Sequence, residues 1–306
     1  MVPHEELLNA TSPTSTSGRS LASCTTLNNK IYICGGWSNY RVLNTAEYYN
    51  PDTNQWTLIT PMGTPRYKLG VVAYMGHIYA VGGRDGSRDL RSAEAYDPVT
   101  NTWYDVPEMV HKHSYFDIAV MNKKIFVVSC SSRIIVECYD YTTNTCLEAS
   151  MTHLLFYSTV FLGRCFYIVG CGFSWTDPCI RVWRYNLVTH TWQQMSPMQE
   201  PRYLMSVTVL KGYIYAMGGY RDDDGTSLRT AERYQPNINQ WTFIASMNEE
   251  RIRASCSTLN NKIYICGGWS NRSLNTVEYY NPDTNQWTLI TPMGTPLFKD
   301  IRRTKV

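Results

Sequence analysis

A single unit recurs along this chain, and its period limits the folds that the chain can adopt. The first clear copy runs from Ile31 to Trp56 and reads IYICGGWSNYRVLNTAEYYNPDTNQW. It contains a β-branched run that ends in a glycine doublet, a polar loop, a second strand-like run with Tyr49, and a proline-containing turn before Trp56. This order predicts short strands separated by tight turns.

The glycine doublets mark the period of the repeat. Doublets or their remnants begin at residues 35, 82, 129, 170, 218 and 267, so successive units lie 47, 47, 41, 48 and 49 residues apart. Five units have a tyrosine seven residues before a tryptophan, whereas the third unit has Tyr139 and then Cys146. A period in the range of roughly 20–50 residues indicates a repeat architecture. The residues expected to form its structural framework are Gly35, Gly36, Tyr49, Trp56, Gly82, Gly83, Tyr96, Trp103, Tyr139, Gly170, Tyr185, Trp192, Gly218, Gly219, Tyr234, Trp241, Gly267, Gly268, Tyr280 and Trp287.

Each unit is interpreted as four short strands, A to D, with the doublet after strand B. An arginine four residues after a methionine precedes strand A in the well-formed units, as at Arg66, Arg202 and Arg251, and His113 takes this place in the third unit. Units of this size cannot bury both faces alone, and radial stacking of antiparallel sheets gives a β-propeller. The sequence therefore predicts an all-β fold with six blades of four antiparallel strands each.

The Gly-Gly, Tyr and Trp pattern resembles the kelch repeat, so the resemblance implies a six-bladed kelch β-propeller. Longer segments, including SVTVLKGYIYAMGG, TAERYQPNINQW and AYMGHIYAVGG, are similar to the propeller of the kelch-like (BTB-BACK-kelch) adaptor family. This similarity implies a non-enzymatic substrate-recognition propeller of a cullin-RING ubiquitin ligase, in which a BTB-BACK region contacts the cullin. No such region precedes residue 19, so the chain alone is not expected to recruit a cullin. Other kelch propellers resemble actin-bundling proteins, which leaves a cytoskeletal scaffold as the alternative.

The repeat also sets the expected domain boundaries. We predict a flexible leader over residues 1–18, a propeller over 19–296 and a C-terminal tail over 297–306. Residues 22–65 and 254–296 are nearly identical, which indicates a recent duplication or a gene-model artefact. The first unit has its own strand A, so we expect the first and last blades to be contiguous in sequence and the ring to close by side-chain packing alone. The predicted blades are 19–62, 63–109, 110–151, 152–198, 199–247 and 248–293.

Composition excludes several classes of protein. Charged residues make up 17% of the chain and the formal net charge is +3, too little for a nucleic-acid-binding surface. No apolar run of membrane-spanning length occurs, so a cytoplasmic protein without membrane contact is expected. Cys24 and Cys34 recur as Cys256 and Cys266 at equivalent strand positions, which favours buried free thiols over disulfides.

No catalytic, cofactor-binding or metal-binding residues are assigned. The chain has no GxSxG, HExxH or phosphate-cradling loop. Three alternatives remain open: a copper enzyme resembling galactose oxidase, a zinc site at Cys130, Cys138 and Cys146, and a metal-binding pair formed by His111 and His113.

The B-to-C and D-to-A loops emerge on one face because strand direction alternates. Their tryptophan, tyrosine and arginine content is typical of a binding hot spot, so we expect a target protein or peptide there. The recurrent arginines have a second interpretation, in which they tie strand A to the loops. Phe173 and Trp175 lie in a degenerate unit, which reflects drift or reshaping for a partner. The predicted partner-binding residues are Trp37, Tyr40, Arg66, Arg84, Arg88, His113, Phe173, Trp175, Arg202, Tyr220, Arg221, Arg251, Trp269 and Arg272.

Overall fold

The computed structural model describes residues 18–114, 116–121, 124–130, 133–139, 145–152, 157–171, 179–189, 191–221 and 225–294. Residues 1–17 and 295–306 lie outside the described residues, and they include all but residue 18 of the predicted leader (1–18) and all of the predicted tail (297–306). Phe173 and Trp175 lie outside the described residues as well. No helix of the described residues is long and apolar enough to cross a membrane.

The described segments form 28 strands. In chain order they are β1 (Ser23–Leu27), β2 (Lys30–Cys34), β3 (Trp37–Ser38), β4 (Arg41–Val42), β5 (Ala46–Asn50), β6 (Gln55–Ile59), β7 (Gly70–Tyr74), β8 (His77–Val81), β9 (Ala93–Asp97), β10 (Thr102–Val106), β11 (Phe116–Met121), β12 (Lys124–Cys130), β13 (Arg133–Tyr139), β14 (Thr145–Thr152), β15 (Ser158–Leu162), β16 (Cys165–Cys171), β17 (Arg181–Asn186), β18 (Thr191–Met195), β19 (Ser206–Leu210), β20 (Tyr213–Met217), β21 (Tyr220–Arg221), β22 (Thr226–Ser227), β23 (Ala231–Gln235), β24 (Gln240–Ile244), β25 (Ser255–Leu259), β26 (Lys262–Cys266), β27 (Val277–Asn281) and β28 (Gln286–Ile290).

Antiparallel pairing joins these strands into four-stranded sheets, numbered 1 to 6 along the chain. They are β1-β2-β5-β6, β7-β8-β9-β10, β11-β12-β13-β14, β15-β16-β17-β18, β19-β20-β23-β24 and β25-β26-β27-β28. The strands β3–β4 and β21–β22 form small hairpins after the second strands of sheets 1 and 5. The first strand of each sheet packs beside the first strands of its two neighbours, and β1 packs beside both β7 and β25. The sheets therefore close into a ring around a central cavity of about 500 Å³.

The prediction of a six-bladed kelch propeller is wrong, because five of the sheets are kelch blades. Sheets 1, 2, 4, 5 and 6 pair a tyrosine on the third strand with a tryptophan on the fourth, at ring-centroid distances of 4.8–5.4 Å. Sheet 3 has Cys146 at the tryptophan position and a register shift between Arg133 and Ile134. Without an indole, sheet 3 lacks the aromatic anchor that joins a kelch blade to its neighbour. The ring thus contains five kelch blades and one divergent sheet.

The core lies between neighbouring sheets rather than within one. On β2, Ile31 to Cys34 are all buried, because a second strand in a stacked sheet is covered on both faces. One apolar cluster joins Tyr32 and Cys34 of sheet 1 to Val71 and Ile78 of sheet 2. The outer strand β6 has only exposed and half-buried side chains, and the innermost strand β1 is mostly half-buried. Burial is therefore greatest at the second strand and lower both at the cavity and at the rim.

Trp56 illustrates how the aromatic pair connects adjacent blades. Its ring packs 5.4 Å from that of Tyr49 on the neighbouring strand, and its indole donates a hydrogen bond to the Thr291 carbonyl of sheet 6 at 3.0 Å. The Tyr49 hydroxyl donates to Asn54 Oδ1 at 3.0 Å, and Asn54 adopts the left-handed conformation of the turn. Equivalent indole-to-carbonyl bonds are made by Trp103, Trp241 and Trp287.

The expected closure of the ring by side-chain packing alone is also wrong. The first and last sheets each come from contiguous sequence, but the Arg19 N–H donates to the Leu274 carbonyl at 2.8 Å and the Gly268 N–H donates to the Arg19 carbonyl at 3.0 Å. Arg66 makes the same backbone bonds between sheets 1 and 2. The segment before β1 therefore folds as an ordinary inter-sheet corner, and the ring closes through the backbone.

Cys24, Cys34, Cys256 and Cys266 are free thiols, which confirms that they do not form disulfides. Cys24, Cys34 and Cys266 are buried, and Cys256 is partly buried. Burial raises the pKa of the Cys34 thiol to about 12, so this side chain is a neutral packing group.

Candidate partner-binding face

One face of the ring forms where the loop after each second strand meets the corner leading into the first strand of the same sheet. We call this surface the loop face. Single backbone bridges join the two segments in four sheets: Ser20 with Trp37, Tyr67 with Arg84, Tyr203 with Tyr220, and Ile252 with Trp269.

A glycine doublet beneath the loop face receives the corner of the next sheet. Gly35 has a φ of 62°, and a Cβ at this position would lie 2.2 Å from the Arg66 carbonyl oxygen. The next N–H, that of Gly36, donates to the same carbonyl at 2.7 Å. This close approach explains the doublet, because any larger residue would push the corner away.

The arginines predicted to contact a partner are instead buried beneath the loop face. Arg66, Arg202 and Arg251 have exposed fractions of 0%, 0% and 1%. The Arg66 guanidinium lies 2.9 Å from the Glu94 carboxylate and also donates to the Gly82 carbonyl at 3.0 Å. These side chains have no surface to offer a partner, so their prediction as contact residues is corrected to the architectural alternative. The equivalent pairs are Arg19–Glu47, Arg202–Glu232 and Arg251–Glu278.

The glutamate of the Arg66 pair also binds the corner that leads into its own sheet. Glu94 accepts hydrogen bonds from the backbone N–H groups of Gly63 at 2.6 Å and Thr64 at 3.1 Å. A buried ion pair is stable only when its remaining donors and acceptors are satisfied, and these bonds satisfy them. The network therefore fixes the height and orientation of the loop face.

His113 occupies the arginine position in sheet 3 and is 1% exposed, so it too is corrected from a contact residue to a buried one. Its Nε2 lies 3.0 Å from Glu137 Oε2, and its Nδ1 lies 2.8 Å from Ser129 Oγ. Glu137 also accepts from the backbone N–H groups of Val110 and His111, at 2.6 and 3.2 Å. Burial opposes ionisation, but these hydrogen bonds hold the pKa of Glu137 below its usual range.

The two repeated tryptophans of the loop face have different environments. Trp37 is half-buried because its ring packs 5.2 Å from Tyr67 on the neighbouring corner. The equivalent neighbour of Trp269 is Ser20, which follows Arg19 at the ring closure. With no aromatic ring beside it at that position, Trp269 remains 45% exposed. Trp269 is therefore the stronger candidate for a partner contact.

Three other predicted contact residues are exposed. Tyr40 is 93% exposed at the tip of the β3–β4 hairpin. Asn39 and Tyr40 both have positive φ, which matches the tight turn of a two-residue hairpin. Arg272 is exposed in the corresponding loop of sheet 6, and the Arg88 side chain is 73% exposed although it lies 3.0 Å from Asp85.

Tyr220, Arg84 and Arg221 are half-buried on the same face. Arg84 lies 3.2 Å from the Asp89 carboxylate, and Arg221 lies 3.8 Å from that of Glu200. The carboxylates of Asp89 and Glu200 thus balance part of the charge of Arg84 and Arg221.

Sequence reasoning missed four residues at the mouth of the central cavity. Leu21, Lys68, Leu204 and Arg253 line the cavity, each two residues after a buried arginine and each with a φ near 55°. The Lys68 N–H donates to the Leu21 carbonyl at 2.8 Å, so neighbouring corners are linked around the mouth. The sequence does contain a pattern that could have identified these positions. The residue two places after the recurrent arginine differs between units, whereas the arginine itself does not.

The mouth of the cavity carries positive charge. Arg253 is exposed and Lys68 is half-buried. Burial and the charges of Arg253 and Arg84 lower the pKa of Lys68 to about 8. An acidic group bound here would stabilise the charged form of Lys68.

Few described residues could hold a cofactor or metal. His111, His113 and Glu137 have ligand atoms that all lie within 4.8 Å of one another. In the cavity wall, burial raises the pKa of Asp117 to about 6, but its partner is the backbone N–H of Thr159.

Comparison with known proteins gives the family. The kelch motif model matches residues 18–63, 65–110, 154–199, 201–248 and 250–294, which is most of the chain. This chain belongs to the kelch-repeat family. The five matched segments contain sheets 1, 2, 4, 5 and 6, in agreement with five kelch blades.

Relatives include kelch-like proteins. Human kelch-like protein 23 (Homo sapiens) is 26% identical over 249 residues, covering 78% of this chain and 43% of that protein. Kelch-like protein 13 of Mus musculus is 34% identical over 87 residues, covering 28% of this chain and 13% of that protein. An F-box/kelch-repeat protein of Arabidopsis thaliana is 34% identical over 90 residues, covering 29% and 24%. The chain spans less than half the length of these relatives.

The solved structure of YjhT has the same fold. It aligns with a TM-score of 0.74 and 12% identity, covering 91% of this chain and 99% of that one. The likeness extends to nearly the whole ring, and at this identity it concerns the fold alone. The kelch repeats and the kelch-like relatives together indicate a protein-interaction module.

Proposed function

We propose that this propeller is a non-enzymatic module that binds a target protein or peptide on its loop face, as the substrate-recognition part of a cullin-RING ubiquitin ligase adaptor in the cytoplasm. The observation that carries the proposal is the exposed Trp269, whose backbone adjoins the segment that leads to the cationic cavity mouth. Arg253 lines the cavity and follows Ile252, whose backbone is bridged to that of Trp269, so the two residues lie on adjoining segments of the loop face. An exposed tryptophan beside an arginine has the composition of a binding hot spot.

The charge of this patch favours an acidic target segment. Arg253 and Lys68 border the cavity, and Arg272 is exposed in the loop beyond Trp269. Burial, and then repulsion from Arg253 and Arg84, lower the pKa of Lys68, and a carboxylate bound at the mouth would offset the repulsion. The indole would supply apolar contact area to the target, and the cationic side chains would speed its association by electrostatic attraction.

The assignment to ubiquitin ligases rests on the kelch-like relatives and on blade sequences that resemble kelch-like protein 10 in particular. In such an adaptor the cullin contact would come from a BTB-BACK region outside the propeller. The propeller would position the target for ubiquitin transfer without chemistry of its own.

Co-purification tests this assignment. The tagged full-length gene product is expected to co-purify with cullin and RING subunits, whereas residues 18–294 alone are expected to retain the target but not the cullin. Co-sedimentation with actin filaments, without ligase subunits, would replace the proposal with a cytoskeletal scaffold.

A further inference from the structure

Sheet 3 contains a buried carboxylate that, among the described residues, has no arginine partner of the kind found in sheets 1, 2, 5 and 6. In sheets 1, 2, 5 and 6 the equivalent glutamate lies 2.9–3.1 Å from a buried arginine, as Glu94 does from Arg66. Glu137 is as deeply buried, with a side-chain exposure of 0%, but two imidazoles face it, those of His111 and His113. Either a protonated histidine or a bound cation can balance this carboxylate.

The distances from Glu137 to the two imidazoles fit a small transition-metal ion, and the ligand atoms of all three groups lie within 4.8 Å of one another. The Glu137 Oε2 atom lies 3.0 Å from His113 Nε2 and 3.6 Å from His111 Nδ1. Ligands placed tetrahedrally about zinc, at bond lengths of about 2.0–2.2 Å, lie roughly 3.3 Å apart. The two distances bracket this value, so an ion could enter with small shifts of the side chains.

The surroundings of His113 and Glu137 resemble the support that metal ligands require. His113 Nδ1 lies 2.8 Å from Ser129 Oγ, and with an ion bound, an Nδ1–H bond to this oxygen would leave the Nε2 lone pair to ligate the ion in place of the Nε2–H bond to Glu137. The N–H groups of Val110 and His111 hold the carboxylate in place. Such outer hydrogen bonds orient ligands before the metal binds.

An ion can reach the site from solvent. The His111 side chain is 42% exposed, whereas those of His113 and Glu137 are 1% and 0% exposed. Two ligands are therefore fixed in the interior, and the third lies at the surface above them.

We propose that His111, His113 and Glu137 form a binding site for one zinc-class divalent ion, which balances the buried carboxylate of sheet 3 as arginine does in other sheets. Two imidazoles and one carboxylate are ligands that Zn²⁺ accepts, and a solvent molecule would complete four-coordination. The assignment does not depend on the identity of the protein partner.

Metal binding to the purified chain tests the site. Equilibrium dialysis against Zn²⁺ alone is expected to give one equivalent bound to the wild-type protein. His111→Ala is expected to weaken binding by about tenfold or more, while preserving the fold because the side chain is partly exposed. His77→Ala is the matched control, since His77 contacts Tyr104 and the Met75 carbonyl, and it is expected to leave binding unchanged.

Ser129→Ala and the spectrum of bound Co²⁺ provide two further tests of the proposed ligands. Ser129→Ala is expected to weaken Zn²⁺ binding less than His111→Ala does, because it removes only the support of one ligand. The absorption spectrum of bound Co²⁺ is expected to show tetrahedral nitrogen and oxygen ligation without thiolate charge-transfer bands. The proposal fails if no stoichiometric ion binds, or if His111→Ala and His77→Ala bind equally. Strong thiolate bands would also overturn it in favour of Cys130, Cys138 or Cys146.

Discussion

Arg66 shapes the loop face although it is buried beneath it. Its guanidinium donates five hydrogen bonds, to the Gly82 and Ser92 carbonyls, the Ser92 hydroxyl and the Glu94 carboxylate. Only a planar guanidinium offers donors in this arrangement, so lysine could not replace it. The arginine thus holds together the loop and the corner that form the face.

Arg66→Met is expected to destabilise the protein by about 3–5 kcal/mol, because it leaves the Glu94 carboxylate buried without a counter-charge. Urea denaturation monitored by tryptophan fluorescence measures the change. Arg88→Met is the control, and a change within about 0.5 kcal/mol is expected because that side chain is 73% exposed. If both substitutions changed the free energy of unfolding equally, the buried Arg66–Glu94 pair would not stabilise the protein more than an exposed arginine does.

Asp117 gives a prediction about pH. Burial raises its pKa in the folded protein to about 6 from 3.8, so the folded state favours the protonated carboxyl. The free-energy cost of ionising the buried Asp117 carboxyl is therefore absent below pH 3.8. This cost increases as the pH rises towards 6 and is constant above pH 6. Asp117→Asn is expected to stabilise the protein by about 1–2 kcal/mol at pH 7.5 relative to its effect at pH 3.5.

Chemical denaturation of the wild type and Asp117→Asn at both pH values tests this expectation. The difference between the two proteins cancels the titration of the other carboxylates. Asp52→Asn, at an exposed turn, is the control and is expected to change the free energy of unfolding by less than about 0.5 kcal/mol. A stabilisation by Asp117→Asn that does not change with pH would contradict the assigned pKa.

At the scale of the strand and the sheet, most of the architecture followed from sequence periodicity. The buried run Ile31 to Cys34, its glycine doublet and the Tyr49–Trp56 spacing predicted strands whose pairing the structure contains. The blade count failed because the remnant doublet Ser129-Cys130 counted as a kelch unit, although Cys146 cannot supply the aromatic anchor.

The candidate site was less predictable than the strands, because exposure depends on neighbours from other units. The sequence around Arg66 is the same whether the side chain is exposed or buried, so its exposure could not be predicted. Only the three-dimensional packing places it next to Glu94. Trp37 and Trp269 occupy equivalent places in nearly identical repeats. Their exposure differs because Tyr67 adjoins one and Ser20 adjoins the other, and no local pattern contains that information.

Sheet 3 is expected to open more readily than the kelch blades. It lacks the indole bond that sheet 6 makes from Trp287 to the Ala245 carbonyl, at 2.8 Å, and the guanidinium network of Arg251. Hydrogen exchange measured by mass spectrometry should show β11–β14 exchanging at least about tenfold faster than β25–β28. Equal protection of the two sheets would contradict this reasoning.

For the whole molecule, the ring closes through the same contacts that join its internal sheets. The bond from the Trp56 indole to the Thr291 carbonyl spans the closure at 3.0 Å, and that from Trp241 to the Ser196 carbonyl spans an internal junction at 3.0 Å. Because the two bonds are equivalent, the contact between the first and last blades should contribute as much to the free energy of unfolding as a contact between internal blades does.

Trp56→Phe and Trp241→Phe are therefore expected to destabilise the protein by similar amounts, about 1–2 kcal/mol each. Each substitution removes one hydrogen bond and part of an aromatic contact. Urea denaturation measures both values. If Trp56→Phe had no effect while Trp241→Phe did, the ring would not be closed in solution.

Partner binding by the full-length gene product in cells tests the central claim most directly, because the loop face should carry recognition and the outer rim should not. Trp269→Ala and Arg253→Glu are expected to lose captured targets, with affinity reduced by roughly 30-fold or more, while ligase subunits still co-purify. Phe243→Ala is the control, since Phe243 is 52% exposed on the outer strand β24, and it should retain every target. Retention of all targets by Trp269→Ala and Arg253→Glu, or their loss in Phe243→Ala, would contradict the account.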